Sequence, residues 1–264
     1  MRDDRPDPVL KTMADQAGID YLHHPNVNSD EFIERMKSYE VDLFVSMSFN
    51  QIFRKNLLAI PPMRTINCHA GKLPFYRGRN ILNWALINDE KEFGITVHYI
   101  DEGIDTGDII KQTLHAITDA DDYGTLLEKA HGACADILVE TIALLRKSER
   151  PEVIKQEDIH PLGSYCIVRK EGDEKLDWNQ SSRDVFNFIR AICDPGPQAR
   201  TFLNERELLI NRAEYIEDAV VYKGIPGSVL RFEGNSFLVK TLDSYVRVLE
   251  WSGVERLRIG DRLK

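Results

Sequence analysis

Two short apolar runs, each emptying into a polar loop, constrain this chain more than any other feature. One is Thr65-Ile66-Asn67-Cys68-His69 and the other Gly94-Ile95-Thr96-Val97-His98-Tyr99-Ile100. Both have the length and the β-branched content of buried strands. Side chains alternate across a strand, so Asn67 and His69 project from one face and Cys68 from the other. The second run opens into the Gly/Asp-rich loop Asp101–Asp108, which contains Asp105. Set side by side as parallel neighbours, the strands would bring their carboxyl ends together, and Asp105 would reach His69. An amide, an imidazole and a carboxylate would then share one crevice.

Helical and extended patterns alternate around this centre. Asp7-Pro8 reads as a cap with proline in the first turn, and Val9, Leu10, Met13, Ala14 and Ala17 keep helical spacing up to Gly18. A short strand is expected over Asp20–His23. Asn28 with Glu31 is the expected cap of a second helix carrying Phe32, Ile33, Met36 and Tyr39 on one face. Asp42–Phe49 reads as a buried strand, and Asn50–Arg54 as the loop that leaves it. A helix over Arg79–Asp89 has Ile81, Trp84, Ala85 and Ile87 as apolar positions, with Trp84 read as core. Asp122 is the expected cap of a long helix reaching about Arg146. Helix and strand in alternation predict an α/β, doubly wound, Rossmann-like domain over residues 1–150.

Residues 151–264 read differently. Pro151–Lys175 is polar and marks a boundary, and a helix capped near Ser181 carries Val185, Phe186, Ile189 and Ile192. Beyond Pro197 the pattern turns β, with strands expected at Ala199–Leu203, Glu207–Asn211, Ser228–Phe232, Ser236–Thr241 and Tyr245–Trp251. A small β-rich unit therefore closes the chain.

Composition narrows the function. The 264 residues are 42% apolar and 29% charged, an ordinary globular profile. No apolar run reaches the roughly 18 residues of a membrane helix, and MRDDRPDP lacks the apolar core of a signal peptide, so a cytoplasmic protein is expected. The four cysteines are too scattered for metal pairs or a disulfide framework. A net charge of −9 argues against nucleic acid as the main partner. The acidic loop fails the calcium-loop template, because its carboxylates miss the alternate ligand positions and no glutamate closes it. The histidines lack zinc spacing, so no metal is expected. Cys68 alternates away from the crevice and reads as a core thiol rather than a nucleophile.

The order Asn67-x-His69, Leu73-Pro74-x-Tyr76-Arg77-Gly78, Trp84, Gly94-x-Thr96 and Asp101-x-Gly103-x-Asp105-Thr106-Gly107-Asp108 resembles the 10-formyltetrahydrofolate-dependent formyltransferases. Both the methionyl-tRNA and the sugar N-formyltransferases belong to that family. The resemblance implies a catalytic trio of Asn67, His69 and Asp105, with 10-formyltetrahydrofolate as cosubstrate. An acceptor amine would attack the formyl carbon through a tetrahedral oxyanion. His69 would act as general base and pass the proton to the leaving folate nitrogen. The Asn67 amide would donate to the oxyanion, an effect of about 2.7–4 kcal/mol for one such donor. Asp105 would orient His69 and stabilise its charged form.

The resemblance also implies folate contacts from Ser48, Phe49, Gln51 and Ile52, from Tyr99 and Asp101, and from Asp119 and Asp122 at the mouth of the site. The two last carboxylates could equally serve the helix N-terminus alone. Lys72, Tyr76, Arg77, Arg79 and Asn80 follow His69 and lead into a helix N-terminus, where cations and backbone N–H groups suit a phosphate. Arg77 has a second reading, as a structural fork on backbone carbonyls. The resemblance points to a nucleotide-linked amino sugar as acceptor, in cell-surface polysaccharide precursor synthesis, and to a homodimer. Methionyl-tRNA formyltransferase and formyltetrahydrofolate hydrolase are the neighbouring alternatives. Against the family pattern, roughly 30 to 40 residues, about one βαβ unit, are expected to be missing before the first helix. That would leave an incomplete sheet, and a catalytically dead remnant is the corresponding alternative.

Overall fold

The computed structural model describes residues 7–148 and 151–264. The first six residues of the N-terminal stretch and the expected junction at residue 150 lie outside them. Helix α1 (Pro8–Ala17) is capped by Asp7, whose carboxylate accepts from the N–H groups of Val9 and Leu10, and it stops at Gly18 in the left-handed conformation. No strand forms over residues 20–23. Helix α2 (Asp30–Lys37) is capped by Ser29, not Asn28. Asn28 is engaged elsewhere, donating to the Ile52 carbonyl and accepting from Arg54 N–H, so it staples the loop after β1 (Phe44–Met47). The short helix α3 (Lys55–Leu58) follows.

The central sheet is built from β1, β2 (Thr65–His69), β4 (Glu92–Tyr99) and β5 (Ile109–Ala116), in the order β1-β2-β4-β5. A two-residue strand β3 (Arg77–Gly78) and helix α4 (Ile81–Ile87) lie between β2 and β4. Only β1 and β2 run parallel, and β4 is antiparallel to both β2 and β5. This corrects the expectation of two parallel catalytic strands, and the doubly wound pattern is confined here to one parallel pair in a mixed sheet. The cause lies in α4, whose seven residues rise about 10 Å and cannot carry the chain back along β2. The chain therefore enters β4 from the end at which it left β2.

Helix α5 (Tyr123–Lys147) covers β2, β4 and β5 and is capped by Asp122 as expected, with Thr125 completing a capping box. Helix α6 (Gln156–Ile159) and strand β6 (Tyr165–Cys166) then return to the first unit, β6 pairing with β3. Helix α7 (Ser182–Ile192), capped by Ser181, packs on α4 and on the closing sheet. That sheet holds β7 (Ala199–Leu203), β8 (Arg206–Glu214), β9 (Val229–Glu233), β10 (Ser236–Lys240) and β11 (Tyr245–Ser252), all antiparallel, ordered β7-β8-β11-β10-β9. All five were legible from alternation. One apolar cluster runs from Ile66, Val97 and Leu126 through Phe186 and Ile189 to Phe237 and Val248, so the two units share a core. No described helix is long and apolar enough to cross a membrane.

Candidate active site

Antiparallel pairing sets two residues of β4 against Asn67 and His69 of β2. Asn67 stands opposite His98 and His69 opposite Thr96. The loop between β4 and β5 then folds back over this face and delivers Asp105, held at φ 54°, a left-handed conformation that aspartate tolerates better than most residues. The trio comes together. His69 Nδ1 lies 3.7 Å from Asp105 Oδ2, and Asn67 Nδ2 lies 3.5 Å from Asp105 Oδ1. The Gly78 N–H donates to Asp105 Oδ2 at 2.9 Å, so β3 fixes the carboxylate from above. Cys68 points the other way, 4% exposed, with its thiol on the Cys134 carbonyl. The neighbouring Cys134 side chain and burial push the thiol up, which keeps it protonated and unreactive.

Burial lowers the pKa of His69, while the Asp105 carboxylate and the Tyr76 carbonyl raise it and His98 lowers it again. Burial also raises Asp105, but the neighbouring His98 ring, the charge of His69 and the Gly78 N–H outweigh it and hold the carboxyl at about 2. Asp105 is therefore ionised throughout the useful pH range beside an imidazole that burial keeps neutral. His69 Nε2 sits 2.8 Å from the Tyr76 carbonyl, which can only accept, so the proton resides on Nε2 and Nδ1 faces the carboxylate. The ring occupies space that a side chain at Gly71 would fill.

Residues that sequence reasoning passed over complete the support. Thr96 donates to the Gly71 carbonyl at 2.6 Å and accepts from Gln112, whose amide also reaches the Leu73 carbonyl. Gly94 lies against the same loop, and a Cβ there would come within 2.6 Å of Lys72 Cα. The Gly94-x-Thr96 pattern thus holds the segment after His69. Gln156, 3% exposed, donates to the carbonyls of Asp105 and Gly107 and accepts from Nε and Nη2 of Arg77. Its only sequence signal was its polarity in a segment read as a linker.

The remaining expected site residues divide. Arg77 is buried, its fork spent on Gln156, the Leu162 carbonyl and the Tyr165 hydroxyl, so it is a brace rather than a phosphate ligand. Lys72 pairs with Glu92 at 2.6 Å, and the Tyr76 hydroxyl donates to Glu90. Asn80 accepts from Arg169 N–H, while Arg79 is exposed one residue beyond Gly78. Tyr99 alternates away from His98 into the core, under the Arg64 guanidinium, and Asp101 caps its own loop at Gly103 and Thr106. Asp119 and Asp122 stand at the far end of the β4–β5 hairpin, where Glu92 pairs with Ala116, about 20 Å along the strands from His98. Their partners there are Arg183 and the α5 N-terminus, so neither enters the crevice. Ser48, Phe49, Gln51 and Ile52 do follow β1 out at the His69 end of the sheet. Phe49 and Ile52 are exposed there, whereas Gln51 is tied to Val27 N–H and the His24 carbonyl. Trp84, read as core, is half-buried and donates to the Ile167 carbonyl. Among the described residues no group of His, Cys, Asp or Glu is placed to hold a metal ion.

The fold and this trio define a one-carbon transferase built on a mixed sheet with a β-rich C-terminal unit. The chain belongs to the formyltransferase family: residues 2–142 match the formyl transferase family model and residues 169–258 match that of the formyl transferase C-terminal domain. It is 34% identical to a methionyl-tRNA formyltransferase of Thermodesulfovibrio yellowstonii, over 92% of this chain and 75% of that protein. Among solved structures it resembles WlaRD, a sugar 3N-formyl transferase in the presence of dTDP and 5-N-formyl-THF, with a TM-score of 0.67 at 22% identity over 94% of this chain and 82% of that one. HypX from Aquifex aeolicus in complex with tetrahydrofolic acid matches with a TM-score of 0.60 at 20% identity, over 84% of this chain and 38% of that one. The chain is a formyltransferase that takes its one-carbon unit from formyltetrahydrofolate.

Proposed function

We propose that the acceptor is the amine of a nucleotide-linked amino sugar. The observation that carries this reading is the pairing of four arginines on the C-terminal sheet. Arg200 pairs with Glu174 and Glu207, Arg212 with Glu250, Arg231 with Glu233, and Arg247 with Glu214 and Glu233. Phosphate backbones are bound by clustered basic side chains free to release counterions, and these are matched by acids. A diphosphate needs far less, and exposed Arg79 beside Gly78 supplies a fork next to the reacting centre.

In this reading the donor lies across the crevice, with Phe49 and Ile52 against its ring system. His69 takes the amine proton, Asn67 Nδ2 donates to the tetrahedral oxyanion, and Asp105 stabilises the imidazolium until the proton passes to the folate nitrogen.

Methionyl-tRNA is the second reading, favoured by the 34% identity to the methionyl-tRNA enzyme. One assay separates the two. The protein is incubated with 10-formyltetrahydrofolate and, in parallel, with methionyl-tRNA and a panel of thymidine, uridine and guanosine diphosphate amino sugars. Formylation of a sugar nucleotide is expected. Turnover of methionyl-tRNA with no sugar formylated would overturn the proposal.

A further inference from the structure

His98 is buried, 2% exposed, directly across the ladder from Asn67, and both of its nitrogens meet protein atoms. Nδ1 lies 2.7 Å from the Tyr99 carbonyl, which has no proton to give. In its neutral form the ring therefore carries its proton on Nδ1 and leaves Nε2 bare, and Nε2 is what the Asn67 amide nitrogen meets. The groups facing Nε2 are Asn67 Nδ2 at 3.2 Å and Asp105 Oδ1 at 3.6 Å, with the His69 ring edge-on at a centroid separation of 6.4 Å. A bare Nε2 beside a carboxylate oxygen tolerates only a donor between them.

Beside a bare Nε2 the Asn67 carboxamide has one favourable orientation. Its oxygen, placed toward His98 and Asp105, would face a lone pair and a negative charge at once; its NH2 satisfies both. One N–H is held firmly by His98 Nε2. The other has only the long 3.5 Å contact to Asp105, so this N–H is left over for a developing oxyanion.

We propose that His98 is a positioning residue: it fixes the rotamer and the flip of Asn67 so that one amide N–H is presented to the formyl oxygen in the transition state. The proposal deepens the assignment of Asn67 as oxyanion donor and rests on it. Preorganised donors of this kind act because they need no reorientation when charge develops.

The test has two arms. In the unmodified protein, nitrogen NMR of labelled histidine reads the tautomer without any acceptor substrate. The Nδ1–H form of His98 is expected at neutral pH, and an Nε2–H form would overturn the proposal whatever the enzyme formylates. In the second arm, His98→Gln places an amide oxygen where Nε2 stood, while His98→Asn keeps a donor for the Tyr99 carbonyl and offers nothing to Asn67. With the acceptor found above, His98→Asn should lose at least about tenfold in kcat with KM for formyltetrahydrofolate unchanged, and His98→Gln should recover most of that loss. Equal kcat in the two variants, both melting like the parent, would sink the idea. If either variant fails to fold, the tautomer decides alone.

Discussion

Gln156 grips Asp105 by its backbone: Nε2 of the glutamine donates to the Asp105 carbonyl at 2.8 Å, although 51 residues separate the two. The same side chain receives one edge of the Arg77 guanidinium, Nε and Nη2 together, through Oε1. The carboxylate is aimed by this arrangement as much as by its own bonds. Replacing Gln156 with leucine leaves two carbonyls unsatisfied and a buried guanidinium short of its acceptor. We expect a stability loss of roughly 2–4 kcal/mol by denaturant melting and a fall in kcat larger than any change in KM. A variant that melts and turns over like the parent would remove Gln156 from the support of the site.

Asp105 predicts a definite pH signature. Its folded pKa of about 2 lies below the ordinary carboxylate value, so ionised Asp105 stabilises the fold above about pH 4, and that contribution fades as the pH falls toward 2. Against Asp105→Asn, the parent should hold an advantage of about 2 kcal/mol at neutral pH that shrinks over this window. The negative charge also raises the pKa of His69, so its removal should move the acid limb of kcat/KM to lower pH while cutting the rate. A limb that moves to higher pH would contradict the contact seen between them.

Thr96 tests the loop after His69. Thr96→Val keeps the shape but strands the Gly71 carbonyl and one Gln112 hydrogen, a cost of about 1–3 kcal/mol. Turnover should drop with the loosened His69, and Thr96→Ser should restore both quantities. No rescue by serine would mean that packing, not the hydroxyl, matters there.

Asp119 offers a clean separation of folate binding from architecture. Its two oxygens meet the Arg183 guanidinium at 2.6 Å, and Arg183 also holds Asp89. Asp119→Asn should lower the melting temperature by a few degrees, the shift for about 1 kcal/mol, and leave KM for formyltetrahydrofolate within twofold. A large rise in that KM with an unchanged melt would return Asp119 to the folate site.

The pattern of what could be read follows from the physics of each signal. The closing sheet was visible because its strands alternate strictly, as in Phe237, Val239 and Val246, Val248, all fully buried. Caps at Asp7, Asp122 and Ser181 were visible because capping is local. The trio was visible as residue types in order. Strand direction was not, since period-2 alternation is the same for parallel and antiparallel neighbours, and with it went His98 and Thr96, whose roles exist only in the antiparallel register. The second spacing of two, Thr96-x-His98 matching Asn67-x-His69, was the available clue. Gln156 and Tyr99 were hidden for another reason, and the same reason left Arg77 between its two readings: whether a polar side chain faces ligand or protein is decided by segments tens of residues away.

The segment that braces the Asp105 loop belongs to neither recognised half of the chain. Gln156 and the β6 residues paired with Arg77 and Gly78 lie between the two family matches, which end at residue 142 and resume at residue 169. Cutting or grafting these halves at the edges of the recognised modules would transplant Asn67, His69 and Asp105 intact yet leave the Asp105 loop and the Gly78 donor without their scaffold. Any graft meant to keep the aim of Asp105 therefore has to run at least through Cys166, and chimaeras joined earlier should inherit the three side chains without their alignment.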